Sequence, residues 1–130
     1  MKEFIDIEIV GVDKNKIKRV SPEKDLYYVY FKLSTIPTSQ WSIYFSEERK
    51  FPRHTMWRHA GVEGGYIVIK CALEEVKEIH LRDLKLNVLN VNKKYKEFLK
   101  SKEIEEKKSR EKIIKEREKI EKTLEDLDFD

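Results

Sequence analysis

Between Arg49 and His59 the chain reads Arg49-Lys50-Phe51-Pro52-Arg53-His54-Thr55-Met56-Trp57-Arg58-His59, with four permanent cations, two histidines, two aromatic rings and no acid. Guanidinium and ammonium groups neutralise phosphates, and an aromatic ring offers a plane for an unstacked base. Arg49, Lys50, Arg53, Trp57 and Arg58 are therefore a candidate contact for single-stranded nucleic acid. A strand alternating core Met56 and Trp57 with surface arginines, or a loop beside an acidic helix, gives similar text, so a structural role stands beside the binding one. His54 and His59, with Glu47, Glu48 and the distant His80, hold the donor types of a small metal-assisted nuclease or hydrolase. The spacing argues against that. Five residues apart with Pro52 nearby, the two histidines do not share a helical face, and on one strand they would point to opposite sides.

No Ser/His/Asp or Cys/His pattern, paired aspartates or glycine-rich phosphate loop occurs elsewhere, so the chain is expected to be non-catalytic, without metal or cofactor. The single cysteine, Cys71, excludes an intrachain disulfide and the multi-cysteine zinc frameworks. It ends the run Tyr66-Ile67-Val68-Ile69-Lys70-Cys71 on the face of Ile67 and Ile69, where a thiol is buried rather than nucleophilic.

Association is the other chemistry on offer. Near the C-terminus Ile113, Ile120, Leu124 and Leu127 repeat at heptad spacing, with Arg117 filling the gap. The last eight residues, Thr123-Leu124-Glu125-Asp126-Leu127-Asp128-Phe129-Asp130, alternate acids with apolar side chains. This ending resembles the protein-docking tips of bacterial single-stranded DNA-binding proteins, although here the chain does not finish on the aromatic and no flexible linker precedes it. The resemblance implies a short linear motif in which Leu127 and Phe129 enter an apolar groove rimmed by cations. Otherwise Leu124 and Leu127 simply end the seam and the acids are solvated.

The elements that must carry these residues are legible from punctuation. All four glycines and all three prolines lie before Tyr66, and from Glu74 onward 32 of 57 residues are charged, 16 of each sign. That composition predicts one long helix starting near Glu74 or Glu75 and running to about Thr123, about 75 Å at the α-helical rise. Leu81, Leu84, Val88, Val91, Tyr95 and Phe98 form its first seam, which needs a sheet face to cover. A short strand over 84–88 competes weakly. Beyond Phe98 the seam gives way to charge pairs in the favourable order, Glu103 to Lys107, Glu106 to Arg110, Glu111 to Lys115 and Glu118 to Lys122. The second seam is one residue out of phase with the first, which disfavours a single uninterrupted coiled coil.

Upstream, Ile5, Ile7 and Ile9 alternate with acids as in a strand ending near Gly11, residues 13–25 read as a surface loop, and Leu26 to Leu33 is a strand whose Tyr27, Val29, Phe31 and Leu33 share a face. Thr38 or Ser39 caps a helix with Trp41, Tyr44 and Phe45 on one side and an exposed charged end at Glu47 to Lys50. Trp41, Ile43 and Phe45 also alternate as a strand would, but the cap and the charged run favour helix. Residues 55–61, the turn Glu63-Gly64-Gly65 and residues 66–72 read as a hairpin.

The expected architecture is a two-layer α+β domain over 1–99, with about four antiparallel strands, one short helix and a long C-terminal helix that packs on the sheet and projects beyond it, followed by a charged helical extension over 100–130. The balance of 12 basic to 9 acidic residues in 1–73 is a faint pull toward anions. Acids near the N-terminus and the lack of a membrane-length apolar run suggest a cytoplasmic protein. A non-catalytic interaction or assembly module, working through the C-terminal helix on a protein partner or a second copy, is the leading expectation. A nucleic-acid-binding accessory protein is the alternative.

Overall fold

The computed structural model describes residues 3–129; Met1, Lys2 and Asp130, two at the acidic start and one in the acidic tail read above, lie outside them. It divides into two compact units, the first ending at Lys96 and the second beginning at Glu97. The first is mixed α+β. Its strands are β1 (Ile9–Val12), β2 (Lys18–Ser21), β3 (Lys24–Leu33), β4 (Ala60–Glu63) and β5 (Tyr66–Cys71), with helix α1 (Ser39–Lys50) between β3 and β4. A single helical turn α2 (Leu73–Glu75), a wide π turn (Val76–His80) and the long helix α3 (Leu81–Glu125) follow.

Strand β3 organises the sheet because it is long, aromatic and β-branched. It pairs antiparallel with β5 along one edge, and with β1 and β2 in tandem along the other, giving the order β1-β3-β5-β4. The β4–β5 hairpin turns on Gly64, whose φ of +57° suits a residue without a Cβ. One sheet face carries Val29, Phe31, Leu33, Ile67, Ile69, Cys71 and Ala60 into the core, where Trp41 and Phe45 of α1 and Leu84, Val88, Val91 and Tyr95 of α3 are also buried. Trp41 and Phe45 lie nearly parallel, 5.9 Å apart.

Several expectations are corrected. Residues 3–8 are not a strand: Ile5 is 81% exposed, and the backbone of Ile7 is taken by the Asn92 side chain instead of a ladder. The supposed loop over 13–25 contains β2, which is joined to β3 through Pro22-Glu23 between the paired Ser21 and Lys24. An edge strand rich in Lys and Arg lacks the apolar alternation by which strands are recognised. The hairpin's first strand begins at Ala60 rather than Thr55, because residues 51–59 direct their polar groups to α1 and to the helical elements after β5. Helix is borne out for 39–50, with the Thr38 hydroxyl accepting the Trp41 N–H at 3.2 Å, but Arg49 belongs to its buried face, not to an exposed end.

Candidate functional site

Burial in α1 falls at Trp41, Phe45 and Arg49, a spacing of four that carries a cation onto the apolar face. Only 7% of Arg49 is exposed. Its Nη1 donates to Asn87 Oδ1 at 3.0 Å, and its Nη2 donates to the Arg58 carbonyl. The guanidinium lies 3.7 Å from the Trp57 ring centre, and Trp57 Nε1 donates back to the Arg49 carbonyl at 3.0 Å. Burial pulls the Arg49 pKa down to about 10, with Asp83 opposing and Arg53 reinforcing, so it remains a cation at neutral pH.

Arg53 and Arg58 meet carboxylates. Arg58 grips Glu75 in bidentate fashion through Nε at 3.1 Å and Nη2 at 2.9 Å, and His80 Nε2 donates to the same carboxylate at 2.8 Å. The π turn makes this possible: its wide i to i+5 geometry, closed by the Leu81 N–H on the Val76 carbonyl, sets His80 above Glu75. The hydrogen bond from Arg58 is the largest influence on Glu75 and holds its carboxyl down at about 2, while the same contact raises Arg58. Arg53 pairs with Glu48, whose Oε1 also accepts from Asn90 Nδ2 at 2.9 Å. His54 Nδ1 accepts the Met56 N–H at 3.2 Å, so its Nε2 carries the proton donated to Asp83 at 2.7 Å. Lys50 and His59 are exposed.

The eleven-residue segment is thus tied to α1, Glu75 and α3 by most of the groups that would otherwise face an anionic ligand. His54 and His59 are not brought together with Glu47 and His80, and among the described residues no group of three or more His, Cys, Asp or Glu is placed to hold a metal ion. Cys71 is fully buried, and burial, with Glu75 adding to it, pushes its thiol up to about 11, far from a thiolate.

Sequence reasoning missed the polar half of this interior. His80, Asn87 and Asn92 are all buried. Asn92 Oδ1 accepts from Ile7 N–H at 3.2 Å and from Trp41 Nε1 at 3.0 Å, and its Nδ2 donates to the Ile7 carbonyl at 2.9 Å. The apolar seam marked the centre of the buried stripe. Asn87 lies three residues after Leu84 and Asn92 four after Val88, so helical spacing alone would have flagged both.

In the second unit α3 continues to Glu125, and the Leu127 N–H bonds the Leu124 carbonyl beyond it. Every residue from 100 to 129 is exposed, including Ile113, Ile120, Leu124, Leu127 and Phe129. The four ion pairs expected from spacing are open; Arg117 and Glu121 meet instead, at 3.7 Å. No helix among the described residues is long and apolar enough to cross a membrane. Comparison with family models, with curated proteins and with solved structures finds no match to this chain.

Proposed function

We propose that the protein is a non-catalytic assembly module in which the helical segment beyond Glu97 pairs with the same segment of a second copy. The observation that carries this reading is the exposure of Ile113 (63%), Ile120 (44%), Leu124 (55%) and Leu127 (52%), a heptad-spaced seam on a unit with no buried residue among those described. A helix of this length gains little from propensity alone and is stabilised mainly by covering such a seam.

Charge favours a second copy over an anionic partner. Residues 97–129 hold 10 basic and 11 acidic side chains, so two copies do not repel and nucleic acid gains no attraction. Arg117, the polar member of the seam, is flanked by Glu116 and Glu121, and a second helix in register brings further carboxylates beside it.

Sedimentation equilibrium of the full chain tests the proposal. The expected result is a concentration-dependent rise from one 15.7 kDa chain toward twice that mass. Ile120→Glu with Leu124→Glu should remove at least ~3 kcal/mol of apolar burial, a weakening of about a hundredfold in Kd. A mass that stays monomeric at every concentration, or a dimer indifferent to that double substitution, overturns the reading.

A further inference from the structure

The sheet has a second face, turned away from the core, and its composition is unlike that of a merely solvated surface. Directly opposed residues in an antiparallel ladder share a face, so the register reads off its rows. One row runs Lys18, Tyr28, Lys70 across β2, β3 and β5. The next holds Tyr30, Val68 and Gly61, and the third holds Gly11, Lys32, Tyr66 and Glu63. Three tyrosines thus stand on the two central strands, all of them half-buried, with Lys18 and Lys32 exposed and Lys70 half-buried around them. The loop between β1 and β2 adds Lys16, whose ammonium lies 5.4 Å from the Tyr30 ring and 5.0 Å from the Tyr66 ring. Two acids face the same way: Glu63 at the β4 edge, and Asp13, which accepts the Tyr66 hydroxyl at 3.1 Å. Four lysines against two carboxylates leave the face positive. Among the described residues the space at Gly11 and Gly61 is open, a Cβ built there meeting no atom within 4 Å.

We infer that this open face binds a single-stranded nucleic acid, with bases stacking on Tyr28 and on the Tyr30–Tyr66 pair, whose rings stand edge to face 5.9 Å apart, and phosphates meeting Lys16, Lys18, Lys32 and Lys70. Stacking on aromatic planes combined with a cationic track is the chemistry such ligands use, and it is tolerant of sequence. Tyr28 and Tyr30 are two residues apart on β3, about 7 Å, twice the ~3.4 Å rise of a stacked strand. Bases seated on both rings must therefore be unstacked, which excludes an intact duplex. Lys16 leaves the ring faces when a base takes its place and then has a phosphate to neutralise. The site is distinct from the segment 49–59, whose arginines are engaged in the fold, and does not depend on self-association.

Fluorescence anisotropy of the full chain with labelled pyrimidine-rich single strands, DNA and RNA in parallel, tests it. Binding of one or both is expected, with log K falling against log salt at a slope of about −3 for four neutralised phosphates. Tyr28→Leu and Tyr66→Leu keep apolar area in the sheet while removing the ring, and each should weaken binding about tenfold. Lys32→Glu with Lys70→Glu should abolish it and cannot do so by emptying the core; circular dichroism confirms that each variant is folded. Lys50→Ala with Arg53→Ala should leave binding unchanged. The proposal is overturned by no binding of either strand, by preference for the duplex of the same sequence, by loss in the 50/53 variant instead, or by lysine sensitivity without tyrosine sensitivity.

Discussion

Asn92 joins α3, α1 and the N-terminal segment through one side chain. One carboxamide satisfies the Trp41 indole from α1 and both backbone groups of Ile7 from the N-terminal segment, and all of these are held away from water. Replacing it with alanine leaves two donors and one acceptor without partners, and each buried orphan costs about 1–3 kcal/mol. Asn92→Ala should therefore lower the urea midpoint by an amount equivalent to ~3 kcal/mol or more. Asn92→Asp keeps the acceptor but sets a carboxylate oxygen against the Ile7 carbonyl in a buried site, and should cost more still. Urea titrations followed by Trp fluorescence, which reports Trp41 and Trp57 together, distinguish the two. Leu84, Val88 and Cys71 were legible as buried residues because apolar periodicity announces them. Asn92 and Arg49 stand at helical spacing from buried neighbours, but spacing does not show the sequence-distant partners without which a polar side chain stays out of a core.

At the level of elements, the loop over 51–59 is held to the helical segment after β5 through Glu75. Its carboxyl, kept at about 2 chiefly by Arg58, is ionised through the ordinary range. A folded-state pKa below the unfolded one stabilises above the unfolded value and loses that contribution as pH falls through the folded one. Stability should therefore decline between about pH 4.5 and pH 2 as Glu75 takes up a proton. Glu75→Gln should cost about 2 kcal/mol near neutrality, the scale of hydrogen bonds to charged groups, and should flatten that acid limb. Thermal melts of both proteins from pH 7 to pH 2 check the sign; parallel melting curves would refute the assignment to Glu75. The strand character of β3 and β5, together with the Thr38 cap of α1, was legible locally. The edge strand β2 and the irregular segment at 3–8 were not, because one lacks an apolar face and the other keeps strand-like alternation while Asn92 takes its hydrogen bonds.

For the whole molecule, the two units differ in what protects them. The first has a sheet, helices packed on it and a buried polar network; the second has no buried residue among those described. Local opening is cheapest where few apolar contacts are lost. Limited trypsin digestion at low protein concentration should thus cleave first among the cations after Lys96 and leave a resistant fragment comprising the sheet domain. Raising the concentration should slow the early cuts if the seam at 113–127 is covered by a second copy. Early cleavage at Arg49, Arg53 or Arg58 would contradict the tying-down of that loop.

By itself the sequence determined the α+β class, the long β3 strand, the capped α1 helix and the unbroken helix at the C-terminus, since each follows from local periodicity, capping and the absence of Gly and Pro. Only the tertiary structure decided the fate of the charges. That Arg53 and Arg58 meet the Glu48 and Glu75 carboxylates and Arg49 the Asn87 carboxamide depends on where those partners lie in space, and whether Tyr28 and Tyr66 share a face with Lys18 and Lys70 depends on strand register. Both are pairings across distances in the chain that no local pattern encodes.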